Sequence, residues 1–184
     1  VTPGGSLTDS DNLTVGGLAT IVAAGHSVTL GDGTTANFGS VDFAGDAVTI
    51  TENSSMVIAA SEATGALSIT ANGAITQTTG VIDADGTSSF SAGANAITLD
   101  SANDFTGAVS LSNTGANDVS ITDSSALILG TVAVGQNLTV TTSGALTDSG
   151  NISVAGLATI VATGQSVTLG DATTETTNFG SLDF

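Results

Sequence analysis

The sequence predicts an all-β fold, a right-handed parallel β-solenoid of about eight coils, each of about 23 residues and three short strands. Three observations predict it. The 184 residues are mainly Gly, Ala, Ser, Thr, Val, Ile, Leu, Asn and Asp, with no Lys, Arg, Cys, Trp or Tyr. Thr and Val favour strands, and Gly, Asn, Asp and Ser favour turns. Next, short apolar–small–apolar triplets recur along the chain, the period-2 pattern of strands with one buried face. Finally, the chain repeats itself. Residues 1–43 return as 140–184, with 31 of 43 positions identical and one insertion, Glu175-Thr176-Thr177, facing Ala36.

Taken in order, the triplets are Val28-Thr-Leu30, Val48-Thr-Ile50, Leu67-Ser-Ile69, Ile97-Thr-Leu99, Val109-Ser-Leu111, Val119-Ser-Ile121, Leu138-Thr-Val140, Ile152-Ser-Val154 and Val167-Thr-Leu169. GDG, SDN, NTGAND, DADG and TSG separate them and read as turns. GLATIVAAG (17–25) and GLATIVATG (156–164) are the nearest approach to helices. Each has nine residues between glycines, and the half-repeat counterpart GTSSFSAG has no helical pattern, so both are read as strands.

The repeat has a finer period. Residues 65–86 align with 136–156, Leu67 falling on Leu138 at an offset of 71, and 86–99 align with 156–169 at an offset of 70. The expected organisation is one continuous solenoid over 1–184, cut from a longer array. Its unit is about 70 residues and its super-repeat 139–141. Three inward columns are expected. The first holds Val28, Val48, Ile75, Ile97, Val119, Leu146 and Val167. The second holds Phe38, Met56, Val81, Phe105, Leu127, Ile152 and Phe179. The third holds Val41, Leu67, Phe90, Val109, Leu138, Ile160 and Leu182. Asn37, Asn103 and Asn178, just before Phe38, Phe105 and Phe179, are expected to stack as an inward amide ladder.

Seventeen carboxylates face no fixed cation, for a net charge of −17, yet only 9% of residues are charged and 40% are apolar, so the chain can bury a core. Without Lys or Arg it has nothing to displace counterions from phosphates, which excludes nucleic acid as a partner. No apolar run approaches the ~20 residues of a membrane span, so no membrane insertion is expected in this segment. Absence of Cys is compatible with secretion.

Asp9, Asp11, Asp32, Asp83 and Asp85 lie in turn-rich sequence of the composition from which calcium sites draw oxygen ligands, and they are the candidate metal ligands. Against that, the nine-residue calcium-roll pattern is absent and Asp11 becomes Gly150 in the second copy. Solvated turn carboxylates are the favoured reading, and no cofactor other than calcium is considered. No catalytic residues are assigned, because carboxylate pairs for glycoside chemistry would stand without any Lys or Arg beside them. His26, replaced by Gln165 in the second copy, reads as an exposed corner. Outward Thr49/Thr51, Thr139/Thr141 and Thr168 raise a second ligand class, flat hydroxyl ranks able to meet ice.

Segments such as GNISVAGLATIVATGQSVTL, SANDFTGAVSLSNTGANDVSITDSSALILGTVAVGQNLTV and TSGALTDSG resemble the β-strand repeats of giant bacterial surface proteins. The nearest group is the filamentous-haemagglutinin-like and autotransporter-adhesin β-solenoids. The resemblance implies an extracellular or cell-surface structural rod, a stalk or filament segment used in adhesion, biofilm or a matrix, and not an enzyme. Its expected partners are neighbouring coils or subunits of the same protein end to end, with cell-surface glycan or matrix beyond them. The alternative function is a ligand-binding solenoid module for calcium, glycan or ice.

Overall fold

The computed structural model describes residues 1–171 and 173–184. Twenty strands form one hydrogen-bonded sheet in which every pairing is parallel. No helix long and apolar enough to cross a membrane occurs among the described residues. The fold is the expected all-β parallel solenoid, of about eight turns.

Two ladders of nine strands run its length. The first stacks β1 (Leu7–Thr8), β3 (Val28–Leu30), β5 (Val48–Glu52), β8 (Leu67–Ala71), β11 (Ser88–Ser91), β13 (Val109–Ser112), β15 (Leu127–Val134), β17 (Leu146–Asp148) and β19 (Val167–Thr168). The second stacks β2 (Leu13–Ala23), β4 (Ala36–Gly45), β6 (Met56–Ile58), β9 (Ile75–Gln77), β12 (Ile97–Phe105), β14 (Val119–Asp123), β16 (Leu138–Thr142), β18 (Ile152–Val161) and β20 (Thr177–Asp183). A shorter third ladder joins the end of β4 through β7 (Ser61–Ala63) and β10 (Ile82–Ala84) to the end of β12.

Alternation explains each strand. In β5, Val48, Ile50 and Glu52 are buried while Thr49 is exposed. Register pairs then place like on like: Val28 beside Val48, Val48 beside Leu67, Ile97 between Ile75 and Val119. The inward residues of all ladders merge into one apolar core. Phe90 and Phe105 meet in it edge to face, centroids 5.9 Å apart.

Several expectations change. The coil is about 21 residues, not about 23; first-ladder partners such as Leu7 and Val28, or Leu67 and Ser88, are 21 apart, while Ile152 and Thr177 are 25 apart. Coils do not all divide into three short strands, because β2, β4 and β18 run on for 10 or 11 residues through register shifts. The three expected columns mix the ladders: Val28 and Val48 belong to the first, Ile75, Ile97 and Val119 to the second. Val81 faces solvent, and its neighbour Ile82 takes the core position.

The mixing has a structural cause in the repeat. Leu67 and Leu138 match in sequence, but Leu67 is in β8 of the first ladder and Leu138 in β16 of the second. Ile75 and Leu146 match at the same offset and cross the other way, from β9 to β17. Leu7 and Leu146, 139 residues apart, share the first ladder, seven strand steps from each other. The super-repeat is therefore seven coils. The 70-residue unit is three and a half, and each unit delivers its sequence to the other ladder.

The asparagine ladder does not form. Asn37 and Asn178 pair in register with the outward Thr14 and Ser153, and Asn103 alone is buried. Asn37 and Asn178 immediately precede a Phe, whereas Asn103 stands two before Phe105. On a period of two, only the last shares its Phe's inward face.

Candidate functional site

The five candidate metal ligands are not gathered into one site. Asp9 is a backbone clamp: its carboxylate accepts the Gly31 amide of the next coil at 3.1 Å and the Thr34 hydroxyl. Its counterpart Asp148 accepts the Gly170 amide at 3.0 Å. Gly31 has φ +74°, and a Cβ there would lie 2.0 Å from the Thr51 carbonyl oxygen, so the clamp holds a turn that needs glycine. Asp11, Asp32 and Asp85 are exposed. Asp83 is not in a turn: it projects from β10 because Ile82 and Ala84 on either side take the core positions.

In register, Asp83 lies between Glu62 of β7 and Asp104 of β12. Three carboxylates thus stack on successive coils, where like charges directly opposite one another are destabilising. Partial burial, then the charges of Asp104, Asp85 and Glu62, push the Asp83 carboxyl above the ordinary range. A shallow groove beside this stack is lined by Asp42, Phe43, Ser61, Glu62 and Val81.

A different acidic group is the one whose oxygens come together: Asp148, Asp171 and Glu175, all within 4.8 Å of one another. Asp148 and Asp171 repeat Asp9 and Asp32, and Glu175 enters with the insertion opposite Ala36. The signal was in the sequence, as a carboxylate added to a turn that already carried two.

The most constrained polar groups are inside. Asn103 accepts the Ile82 amide at 2.9 Å, donates to the Leu99 and Thr122 carbonyls at 3.1 Å, and exchanges bonds with the Gln77 amide. Asn113 donates to the Asn95 and Asn117 carbonyls at 3.0 Å and accepts the Gly135 amide. Each knits neighbouring coils where a strand ends and backbone groups would otherwise be unpaired. Glu52 and Asp123 act at similar strand ends.

Outside, hydroxyls form ranks. Thr8, Thr29, Thr49, Ser68, Ser89 and Ser110 stack along the first ladder, with Thr51, Thr70, Ser91 and Ser112 two residues further on. Thr76, Thr98, Ser120, Thr139 and Thr159 stack along the second. Thr49 and Thr139 therefore belong to different ladders. His26 is exposed at a corner.

These regular ladders and half-turn units are matched by a family model described as repeats of unknown function (DUF5649), over residues 1–44, 45–112 and 116–182. The chain belongs to this family. The second and third matches, 68 and 67 residues long, are close to the length that carries sequence from one ladder to the other. No curated protein and no solved structure matches the chain.

Proposed function

We propose that the chain is a structural shaft or filament segment of a large secreted or cell-surface protein, serving adhesion, biofilm or extracellular fibre formation. One observation carries the reading: two nine-strand parallel ladders give the molecule an axial hydrogen-bonded backbone. Stacking coil on coil also leaves no lateral strand edge for other chains to pair with. Its side chains serve that backbone. Asp9 and Asp148 clamp turns, Asn103 and Asn113 tie coils, and the only His stands at an exposed corner. No catalytic role is assigned to any of them, and no cofactor is required. The resemblance to adhesin-type β-solenoids supports the cell-surface location and the role of a rod joined end to end to further coils or subunits, with glycan or matrix as the eventual target.

One observation favours the alternative of a calcium-binding module, the convergence of Asp148, Asp171 and Glu175. Thermal melts in calcium and in chelator separate the two. A shaft keeps its Tm within about 2 °C in chelator, whereas a calcium module bound at about 100 Kd would lose nearly 3 kcal/mol. Electron micrographs of the intact assembly should show a continuous thin fibre or a stalk, and a compact globular particle would sink the shaft reading.

A further inference from the structure

Two buried carboxylates occupy corresponding points of the half-repeats. Glu52 and Asp123 are 71 residues apart, the offset that relates Leu67 to Leu138. Glu52 ends β5 on the first ladder and Asp123 ends β14 on the second. Their partners correspond as well. The Phe38 amide of the preceding coil donates to Glu52 Oε1 at 2.9 Å, and the Ser54 hydroxyl donates to the same oxygen at 2.8 Å. The Phe105 amide of the preceding coil donates to Asp123 Oδ2 at 2.9 Å, while the Ser125 amide and hydroxyl donate to Oδ1 at 2.7 and 3.0 Å. Glu52 is 0% and Asp123 1% exposed, and Glu52 Oε2 has no hydrogen-bond partner among the described residues.

A buried carboxylate is ordinarily matched to a cation, and this chain has no Lys or Arg to supply one. The strands packed on Glu52 offer no compensation. β3 and β8 carry no titratable group, and β4 carries another acid, Asp42. Around Asp123, β16 carries none and β12 carries Asp100 and Asp104. The Ser125 hydroxyl is within hydrogen-bond distance of both the Asp104 and Asp123 carboxyls.

We infer that these repeated buried carboxylates make the solenoid a proton-tightened rod, its coils held more firmly in mild acid than at neutral pH. Burial, the largest influence on each, raises the Glu52 and Asp123 carboxyls above the ordinary range, outweighing the amide and hydroxyl donors that lower them; Asp104 adds a smaller upward push on Asp123. The folded chain therefore keeps protons that the unfolded chain has released. The stabilisation is fully present below the ordinary carboxylate range and is lost as pH rises from that range through the raised values. This is the reverse of acid denaturation driven by salt-bridged carboxylates. The surface stack of Glu62, Asp83 and Asp104 acts in the same direction, but its charge repulsion is screened by salt and the buried contribution is not.

The test is urea unfolding of the full chain from about pH 4 to about pH 8, at low and at high sodium chloride, for the unsubstituted protein, Asp83→Asn, and Glu52→Gln with Asp123→Asn. The unfolding constant of the unsubstituted chain is expected to rise with pH, about tenfold for each unit by which a buried carboxyl is raised. That slope should persist in high salt, persist in Asp83→Asn, and largely disappear in the double variant. A midpoint that falls on acidification overturns the inference. So does a slope abolished by salt alone, or one unchanged in the double variant. Should the double variant not fold, infrared titration of the unsubstituted chain decides. A protonated carboxyl band that persists above the ordinary range, and is lost on unfolding, supports the inference; its absence overturns it.

Discussion

Asn103 shows what one side chain can do in a stack of coils. With 0% exposure it bonds to groups on β9, β10, β12 and β14, spanning three coils through a single amide. Replacement by the near-isosteric Leu would leave the Ile82 amide and two carbonyls buried without partners. Asn103→Leu is expected to cost roughly 2–4 kcal/mol, since each buried unpaired group costs ~1–3. Asn37→Leu, at an outward position, should shift stability by less than about 0.5 kcal/mol. Urea midpoints measure both, and equal effects would contradict the assignment of Asn103 as a coil tie. The sequence showed three Asn–Phe neighbours of similar aspect. Counting the spacing, one residue or two, would have separated the outward pair from the inward one.

At the scale of the element, the nine apolar triplets all lie on strands, with Leu169 just outside β19. Their legibility follows from large inward residues flanking a small outward one. Ser61-Glu62-Ala63 and Ile82-Asp83-Ala84 escaped notice because small or polar residues fill inward places on the third ladder, which blurs the period-2 pattern. Corners were legible as glycine-rich turns, though their tightness was not. A Cβ on Gly86 would lie 2.5 Å from the Gly65 carbonyl carbon and oxygen, backbone atoms of the coil next to it. Gly86→Ala should therefore cost about 1–3 kcal/mol as coil spacing is forced open. Gly4→Ala, with open space around it, is the matched control and should change the urea midpoint little. The candidate acidic residues divide in the same way. Asp9 was legible as part of a turn, but its role as a clamp on Gly31 depends on a coil 22 residues away.

For the whole molecule, the finding of most consequence is that the 70-residue unit equals three and a half coils. Sequence alignment pairs Leu67 with Leu138, while the fold sets them on different ladders. Both ladders accept the same sequence because each asks for the same thing, an apolar residue inward and a small hydroxyl outward. A direct consequence can be tested by deletion. Removing residues 67–137 and joining Ala66 to Leu138 places Leu138-Thr-Val140 where Leu67-Ser-Ile69 stood. The shortened chain should fold as a rod about 17 Å shorter, at ~4.8 Å per coil. Small-angle scattering and circular dichroism check it, and an unfolded or aggregated product would show that the two ladders are not interchangeable.

By itself the sequence determined that the chain is all-β, that it winds as a parallel solenoid, and that it repeats at two lengths, because alternation and turn residues are local properties written in every coil. Tertiary structure decided which coils are neighbours, and therefore what is buried. Val28 and Val167 lie in the same Val-Thr-Leu-Gly-Asp segment, yet Val28 is 0% exposed and Val167 40%. The first has Val48 of the next coil beside it; the second pairs on one side only, with Leu146. Likewise no local pattern could say that Glu52 and Asp123 turn inward on matching Phe amides, because that depends on contacts between residues 14 and 18 positions apart. In a solenoid the period of the side chains is readable from the chain. The length of each coil, and with it every contact between coils, is set by how successive turns pack.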